Sequence, residues 1–336
     1  MNQLKKRLLF MMIGAAMVFA ACGGSSEEKV RKQIMAKWEE QDGYEVKAEM
    51  VVQSPSETAT YSIDVWHTKP DYYRVSVNDA NPEKNQLIIR NKEGVFVISP
   101  HLQKSYQFKS DWPLKHSQAY LIESLSRDIQ ADPEAEFTEQ EKTYTFVTKT
   151  KASHEQSLPQ QTIEIDKKSL LPKRVVIHSE DGQEKMELTF TKIELGKVHS
   201  AADYEADPFE KATDGNETAS AEMDDTEFQT SYPTVQLTGV ELLEEKTAEG
   251  PNGKRVILTY GGTKAFTLIQ QPSPKNTLLP VHAPGDPAPI GMQMGGQTEH
   301  SLQWEQDGKL YFLASTSLTE DEMLAVAASM QTPSLK

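Results

Sequence analysis

Between Tyr44 and Glu194 the chain repeats a single pattern: a short run rich in β-branched and aromatic residues, then a turn signal. Tyr44–Val52, Tyr61–Trp66, Tyr72–Val77, Gln86–Arg90, Val95–Ile98 and Tyr106–Phe108 read as strands. Ser54-Pro55, Lys69-Pro70, Asn81-Pro82, Lys92-Glu93-Gly94 and Ser99-Pro100 separate them. A helical stretch from Lys115 to Ile129 interrupts the series, with Ala119, Ile122, Leu125 and Ile129 on one face. Tyr144–Thr150, Gln161–Ile165, Pro172–His178 and Lys185–Glu194 resume it. Connections this short join strands antiparallel, and a sheet of so many strands must curl because its twist accumulates. The expected fold class is mainly β (α+β), built on one long antiparallel sheet.

The pattern is flanked on both sides. Glu27–Glu40 reads as an amphipathic helix, with Val30, Ile34 and Trp38 spaced at i, i+4, i+8. From Asp203 to Ser231 the periodicity vanishes among acidic residues, which predicts an extended or disordered linker with too little apolar surface to order itself. A second, small α+β domain is expected beyond it. Its strands are Val235–Leu243, Lys254–Tyr260 and Phe266–Gln270, followed by a Pro/Gly-rich loop or turn system from Pro272 to Gly296. Ser301–Glu305 and Lys309–Ala314 form a hairpin around Asp307-Gly308. A final helix spans Leu318–Met330, where Thr319 and Glu322 have the spacing of a capping box.

The N-terminus carries an address. Lys5, Lys6 and Arg7 precede an apolar run from Leu8 to Phe19, too short for a permanent membrane span and suited to a signal peptide. Ala20-Ala21 then precede Cys22, the single cysteine of the chain, and a Gly/Ser tether follows. This resembles a lipobox, with Phe19 where an aliphatic residue is usual. The resemblance implies cleavage before Cys22 and attachment of a diacylglyceryl thioether. The protein is then expected on the extracytoplasmic side of the cell membrane, held by its acyl chains. The expected boundaries are a signal peptide at 1–21, a tether at 22–28, the first domain at 29–200, an acidic linker at 201–231 and the second domain at 232–336.

Composition removes several function classes. Lys and Arg number 35 against 50 Asp and Glu, for a net charge of −15, and a chain this acidic lacks the basic face a nucleic acid requires. One cysteine excludes a disulfide framework. The eight histidines, at 67, 101, 116, 154, 178, 199, 282 and 300, form no HxH or HxxxH pair, so no metal site is expected. No serine lies in GxSxG and no cofactor motif is present. The reading is non-enzymatic, with no cofactor. Trp66, Phe96, Tyr106 and Trp112 suit either a ligand cavity or an ordinary core. Met292-Gln293-Met294 suits loop packing or an adaptable contact surface.

Asp64-Val65-Trp66-His67-Thr68-Lys69-Pro70 resembles the D-[LV]-W-x-x-[RK]-P segment of LolA, the periplasmic lipoprotein carrier. Leu87 to Pro100 resembles its next hairpin, with Asn91 in place of Asp and Phe96 where Trp is frequent, and Leu171-Pro172-Lys173-Arg174 and Asp181-Gly182 fit its last hairpins. Trp304, Gly308 and the final helix resemble an extracytoplasmic domain of Gram-positive proteins. As a whole the chain resembles the YdcC-type lipoproteins of sporulating Firmicutes, and it shares a two-domain plan with RseB. The resemblance implies an incomplete antiparallel β-barrel whose hollow is covered by helices and, in LolA, holds acyl chains. It places Trp66, Phe96, Ala119, Ile122, Leu125 and Ile129 as candidates for the cavity and its lid, and Lys69 where LolA has the basic residue that keeps the lid closed. Two functions stay open. One is binding of a lipid or apolar ligand in the half-barrel; the other is a regulatory or scaffold role with an envelope protein partner.

Overall fold

The computed structural model describes residues 26–53, 58–100, 104–113, 118–150, 158–206, 229–250, 253–273, 280–290 and 293–331. The expected signal peptide, Cys22 and the 207–228 part of the expected linker lie outside the described residues, as does Met292. The first domain opens with helix α1 (Glu27–Glu39) and continues through strands β1 (Gly43–Gln53), β2 (Thr58–Thr68), β3 (Tyr72–Asp79), β4 (Gln86–Asn91), β5 (Gly94–Ser99) and β6 (Lys104–Phe108). Helix α2 (Ile122–Ala131) follows, then β7 (Glu136–Glu139), β8 (Thr143–Lys149), β9 (Gln160–Asp166), β10 (Pro172–His178) and β11 (Glu184–Leu195). The second domain holds β12 (Tyr232–Pro233), β13 (Val240–Gly250), β14 (Gly253–Gly262), β15 (Phe266–Pro272), β16 (Val281–His282), β17 (Asp286–Ile290) and β18 (Gln293–Thr298). It ends with β19 (Ser301–Gln306), β20 (Lys309–Ala314), helix α3 (Glu320–Ala328) and β21 (Met330–Gln331).

The protein is mainly β, and its sheets are open. The first is 12-stranded, in the order β16-β6-β5-β4-β3-β2-β1-β11-β10-β9-β8-β7. Its first-domain strands pair antiparallel, and β1 and β11 bring the two halves of the domain together at the centre. Alternation along each strand divides the side chains between two faces. Tyr44, Val46, Ala48 and Met50 of β1 all turn to the face that α1 and α2 cover. Val30, Ile34 and Trp38 of α1 meet them there, none more than 4% exposed. The second sheet is seven-stranded, β13-β14-β15-β20-β19-β18-β17, with α3 packed on it through Met323, Leu324, Val326 and Ala327.

Several boundaries differ from the sequence expectation. The helix expected from Lys115 begins at Ile122. Ala119 and Tyr120 form the turn before it, and Leu121 N–H bonds to the Gln118 carbonyl without a side-chain cap. The strand expected from Val235 starts at Val240, because Gly239, at φ 71°, turns the chain just before it. Part of the Pro272–Gly296 stretch is ordered as the hairpin β17–β18. Pro287 and Pro289 sit on an outer strand two residues apart, where both missing N–H groups can face away from the ladder. Within the expected linker, Tyr204 is fully buried against the first sheet, and Ser231 is buried in the second domain. Thr319 caps α3 as its sequence indicates, with a reciprocal bond from Glu322.

Candidate functional site

The sequence-predicted residues fall on two faces of the first sheet. Ala119, Ile122, Leu125 and Ile129 lie together under α2, on the helix-covered face. Trp66 and Phe96 lie on the opposite face, with Ile89, Ile98 and Tyr204. There Trp66 stacks on His199 at 4.3 Å between ring centroids, and the Arg74 guanidinium sits 5.6 Å from its ring. Among the described residues, Lys69 makes no hydrogen bond or ion pair with α2. Its Nζ donates to the Glu39 carbonyl oxygen at 2.7 Å, at the C-terminal end of α1, where a cation meets the negative end of the helix dipole.

A different set of residues fastens α2. Glu123, in its first turn, accepts from the Tyr44 hydroxyl of β1 at 2.6 Å and faces His67 Nε2 of β2 at 3.1 Å. His67 Nδ1 lies 3.0 Å from the Tyr72 carbonyl oxygen, and its ring stacks on Tyr73 at 4.3 Å. Burial pushes the His67 imidazole below its ordinary pKa, and the Glu123 charge opposes that shift. Burial also raises the Tyr44 phenol well above its ordinary value, with Glu123 adding to the effect. In the middle of α2, Ser126 Oγ donates to Glu39 Oε1 at 2.7 Å, tying the two helices together. Lys69 therefore reaches α2 only at one remove, through the end of α1. Sequence reading passed over Tyr44, His67 and Glu123. The available signal was alternation, since His67 follows Ile63 and Val65 on one face of β2.

The space beneath the helices is filled by the protein itself. Trp38, Leu121, Ile122, Leu125 and Ile129 meet Val46, Ile63, Val75 and Ile163 there, each at most 4% exposed. An open cavity of about 330 Å³ lies elsewhere, between the domains. The first sheet contributes Gln86, Tyr106 and Phe108 to its wall, and the second domain contributes Met294, Gln303 and Trp304. The domains are joined beside it by β6 and β16, which pair in parallel, Val281 opposite Tyr106 and His282 opposite Gln107. Lys104 of β6 makes a buried ion pair with Glu305 of β19 at 2.7 Å, and the Tyr106 hydroxyl donates to the same carboxylate at 2.9 Å. Burial pushes the Tyr106 phenol far above its ordinary value, reinforced by Glu305. Tyr106, which the sequence left between cavity and core, borders this cleft; Trp112 is buried in the first core.

Among the described residues, no group of three or more His, Cys, Asp or Glu could hold a metal ion, and no helix is long and apolar enough to cross a membrane. Two open sheets, one roofed by helices and the other joined to its edge through β16, define a mainly β protein. The model of the "Sporulation protein YdcC-like" family matches residues 4–197. Sporulation protein YdcC of Bacillus subtilis (strain 168) is 37% identical over 339 residues, covering 100% of both chains. The chain belongs to the YdcC-like family of sporulation proteins. It is also similar to a chain of the MucA/MucB complex of Pseudomonas aeruginosa, with a TM-score of 0.34 at 13% identity, over 91% of this chain and 98% of that one. A chain from the complex of the CwlD amidase with the GerS lipoprotein of Clostridioides difficile gives a TM-score of 0.31 at 14% identity, over 51% and 97%. A LolA superfamily protein from Nitrosomonas europaea gives 0.31 at 10% identity, over 55% and 99%.

Proposed function

We propose that this YdcC-like protein is a non-catalytic, membrane-tethered scaffold on the extracytoplasmic side, which takes an envelope protein partner along strand β13. The tether rests on the Lys5–Arg7, Ala20-Ala21-Cys22 pattern, and lipidation at Cys22 supplies it. The observation that carries the partner-binding reading is β13 itself. It is 11 residues long, stands at the edge of its sheet, and is exposed from Glu241 to Glu249. Leu242 and Leu243 sit side by side on it, 43% and 61% exposed, at a bulge in the pairing with β14. Gly261, with no Cβ, lets the exposed Leu243 side chain lie across β14. A long free edge is a template for another strand, and proteins ordinarily shorten or cover it. The charges of β13, Glu241, Glu244, Glu245 and Glu249 against Lys246, suit an extended basic and apolar segment.

The alternative, an acyl chain or other apolar ligand in the half-barrel, requires space beneath α2, where the protein's own side chains now pack. The edge-strand reading is tested by placing a photo-crosslinking residue at Leu243 of the full-length protein in sporulating cells. One envelope protein is captured there, the exposed Lys173 position of β10 captures nothing, and reversing charge with Glu244→Lys and Glu245→Lys abolishes the adduct. Equal capture at both positions, or none at Leu243, overturns it.

A further inference from the structure

Alternation divides the side chains of the second sheet between two faces. Val256 and Leu258 of β14, Leu268 of β15 and Tyr311 and Leu313 of β20 are buried with α3. Their neighbours along each strand turn to the other face. There Ile257, Ile269, Phe312, Gln303 and Gly296 stand opposite one another on β14, β15, β20, β19 and β18. Residues so paired share a face, and they form one row across five strands. At the outer end the row continues to Lys246 of β13, the free edge. At the inner end Gln303 and Gly296 border the cleft between the two sheets.

The two ends of the row are finished differently. The inner end is already an interface. A Cβ on Gly296 would stand 3.1 Å from Phe108 Cε1 of the first sheet, and Glu305, two residues from Gln303, takes Lys104 and the Tyr106 hydroxyl of β6. Further out, Ile257, Ile269 and Phe312 are only half-buried and belong to none of the buried apolar clusters among the described residues. Helices α1 and α2 pack on the first sheet, and α3 packs on the opposite face of the second. A sheet face with large apolar side chains ordinarily takes another layer, and helices supply that layer elsewhere in this chain. Charge selects the occupant. Beside the row, β13 carries Glu241, Glu244, Glu245 and Glu249 against Lys246, which pairs with Glu244 at 2.7 Å. A second copy of the chain would bring the same acidic strand to this edge, where like charges repel. A segment apolar on one side, with Lys or Arg at its margin, matches both the row and the edge.

We propose that the protein partner that joins β13 also lays an amphipathic helix, flanked by Lys or Arg, over Ile257, Ile269 and Phe312. This rests on the β13 reading and extends it from the strand edge to the sheet face. The test places a photo-crosslinking residue at Phe312 of the full-length protein in sporulating cells, and in separate cells at Leu243, at Ile269 and at Ala328, which is exposed on α3. The Phe312 and Ile269 adducts contain the same protein as the Leu243 adduct. They are attached through a segment with apolar residues at i, i+3 or i+4 and i+7 and with Lys or Arg beside them, and Ala328 captures nothing. Ile257→Thr keeps a β-branched residue in the strand and the melting temperature of the protein, and it lowers the Phe312 adduct about tenfold. An adduct at Leu243 with none at Phe312 or Ile269 overturns this inference and leaves the β13 reading standing; no adduct at any of the three overturns both. A second copy of this chain at Phe312, equal capture at Ala328, an attached segment without Lys or Arg, or an undiminished adduct in the Ile257→Thr protein also overturns it.

Discussion

The helix-covered face of the first sheet and the free edge of the second sheet both present leucines, and they are finished in opposite ways. On the covered face, Leu125 is wholly buried among side chains from both helices and the strands. Its helix is then fastened by the polar clasp of Tyr44, His67 and Glu123. On the edge, Leu243 is 61% exposed on a strand that no other described strand covers. Apolar burial is spent inside the first domain, where it stabilises the fold. The large apolar side chains left exposed on a strand edge, Leu242 and Leu243, lie on the second sheet. Likeness to a ligand-holding fold therefore does not by itself locate the binding surface.

Substitutions should separate these regions sharply. The largest effect is expected from Leu125→Ala, which removes a fully buried side chain and costs about 2–5 kcal/mol in urea unfolding. Leu243→Ala should stay within about 0.5 kcal/mol. Similar costs at the two positions would erase the distinction. Next comes Glu123→Ala. It leaves the Tyr44 hydroxyl and the buried His67 ring without their carboxylate partner, and it should destabilise the first domain by about 1–3 kcal/mol. Hydrogen exchange should then rise in α2 before the strands; uniform exchange would show that the clasp does not hold the helix. On the second domain, Thr319→Ala removes the α3 cap at about 1 kcal/mol, read as faster exchange confined to α3.

The smallest expected effect is a pH dependence. Because burial depresses the His67 pKa, the unfolded chain binds that proton more readily than the folded one. His67 thus contributes stability that is present above its unfolded value of about 6.5 and is lost as the pH falls below it, through the folded value. His67→Phe should flatten the stability profile of the first domain between about pH 7 and pH 5. An unchanged slope would assign the dependence to other groups.

Much of this architecture was legible. Apart from β7, the strands of the first domain, together with α1 and the capped α3, follow from periodicity and turn residues, because each is a local pattern with a local cause. The start of α2 was not, since Leu121 offers no side-chain cap to mark it. Short β7 was missed because a charged, four-residue edge strand carries almost no apolar signal. Strand alternation already separated Trp66 from Val65, and Phe96 from Val95 and Val97, yet the family resemblance drew those aromatics into one cavity with the α2 residues. The cleft was invisible for a deeper reason. Gln86 and Trp304 are 218 positions apart, and only docking of the two domains brings them to one cavity.

The claim on which the rest depends is that the helix-covered face is a core and not a lipid site. It is tested most directly by titrating the full-length protein, purified in mild detergent and exchanged into nanodiscs, with a fluorescent fatty acid, using empty nanodiscs as the reference. The account predicts no saturable binding beyond the nanodisc background and no change when Ile122 is enlarged to Phe. Saturable binding at one site per chain, lost in the Ile122→Phe protein, would contradict it and restore the half-barrel as a lipid-binding site.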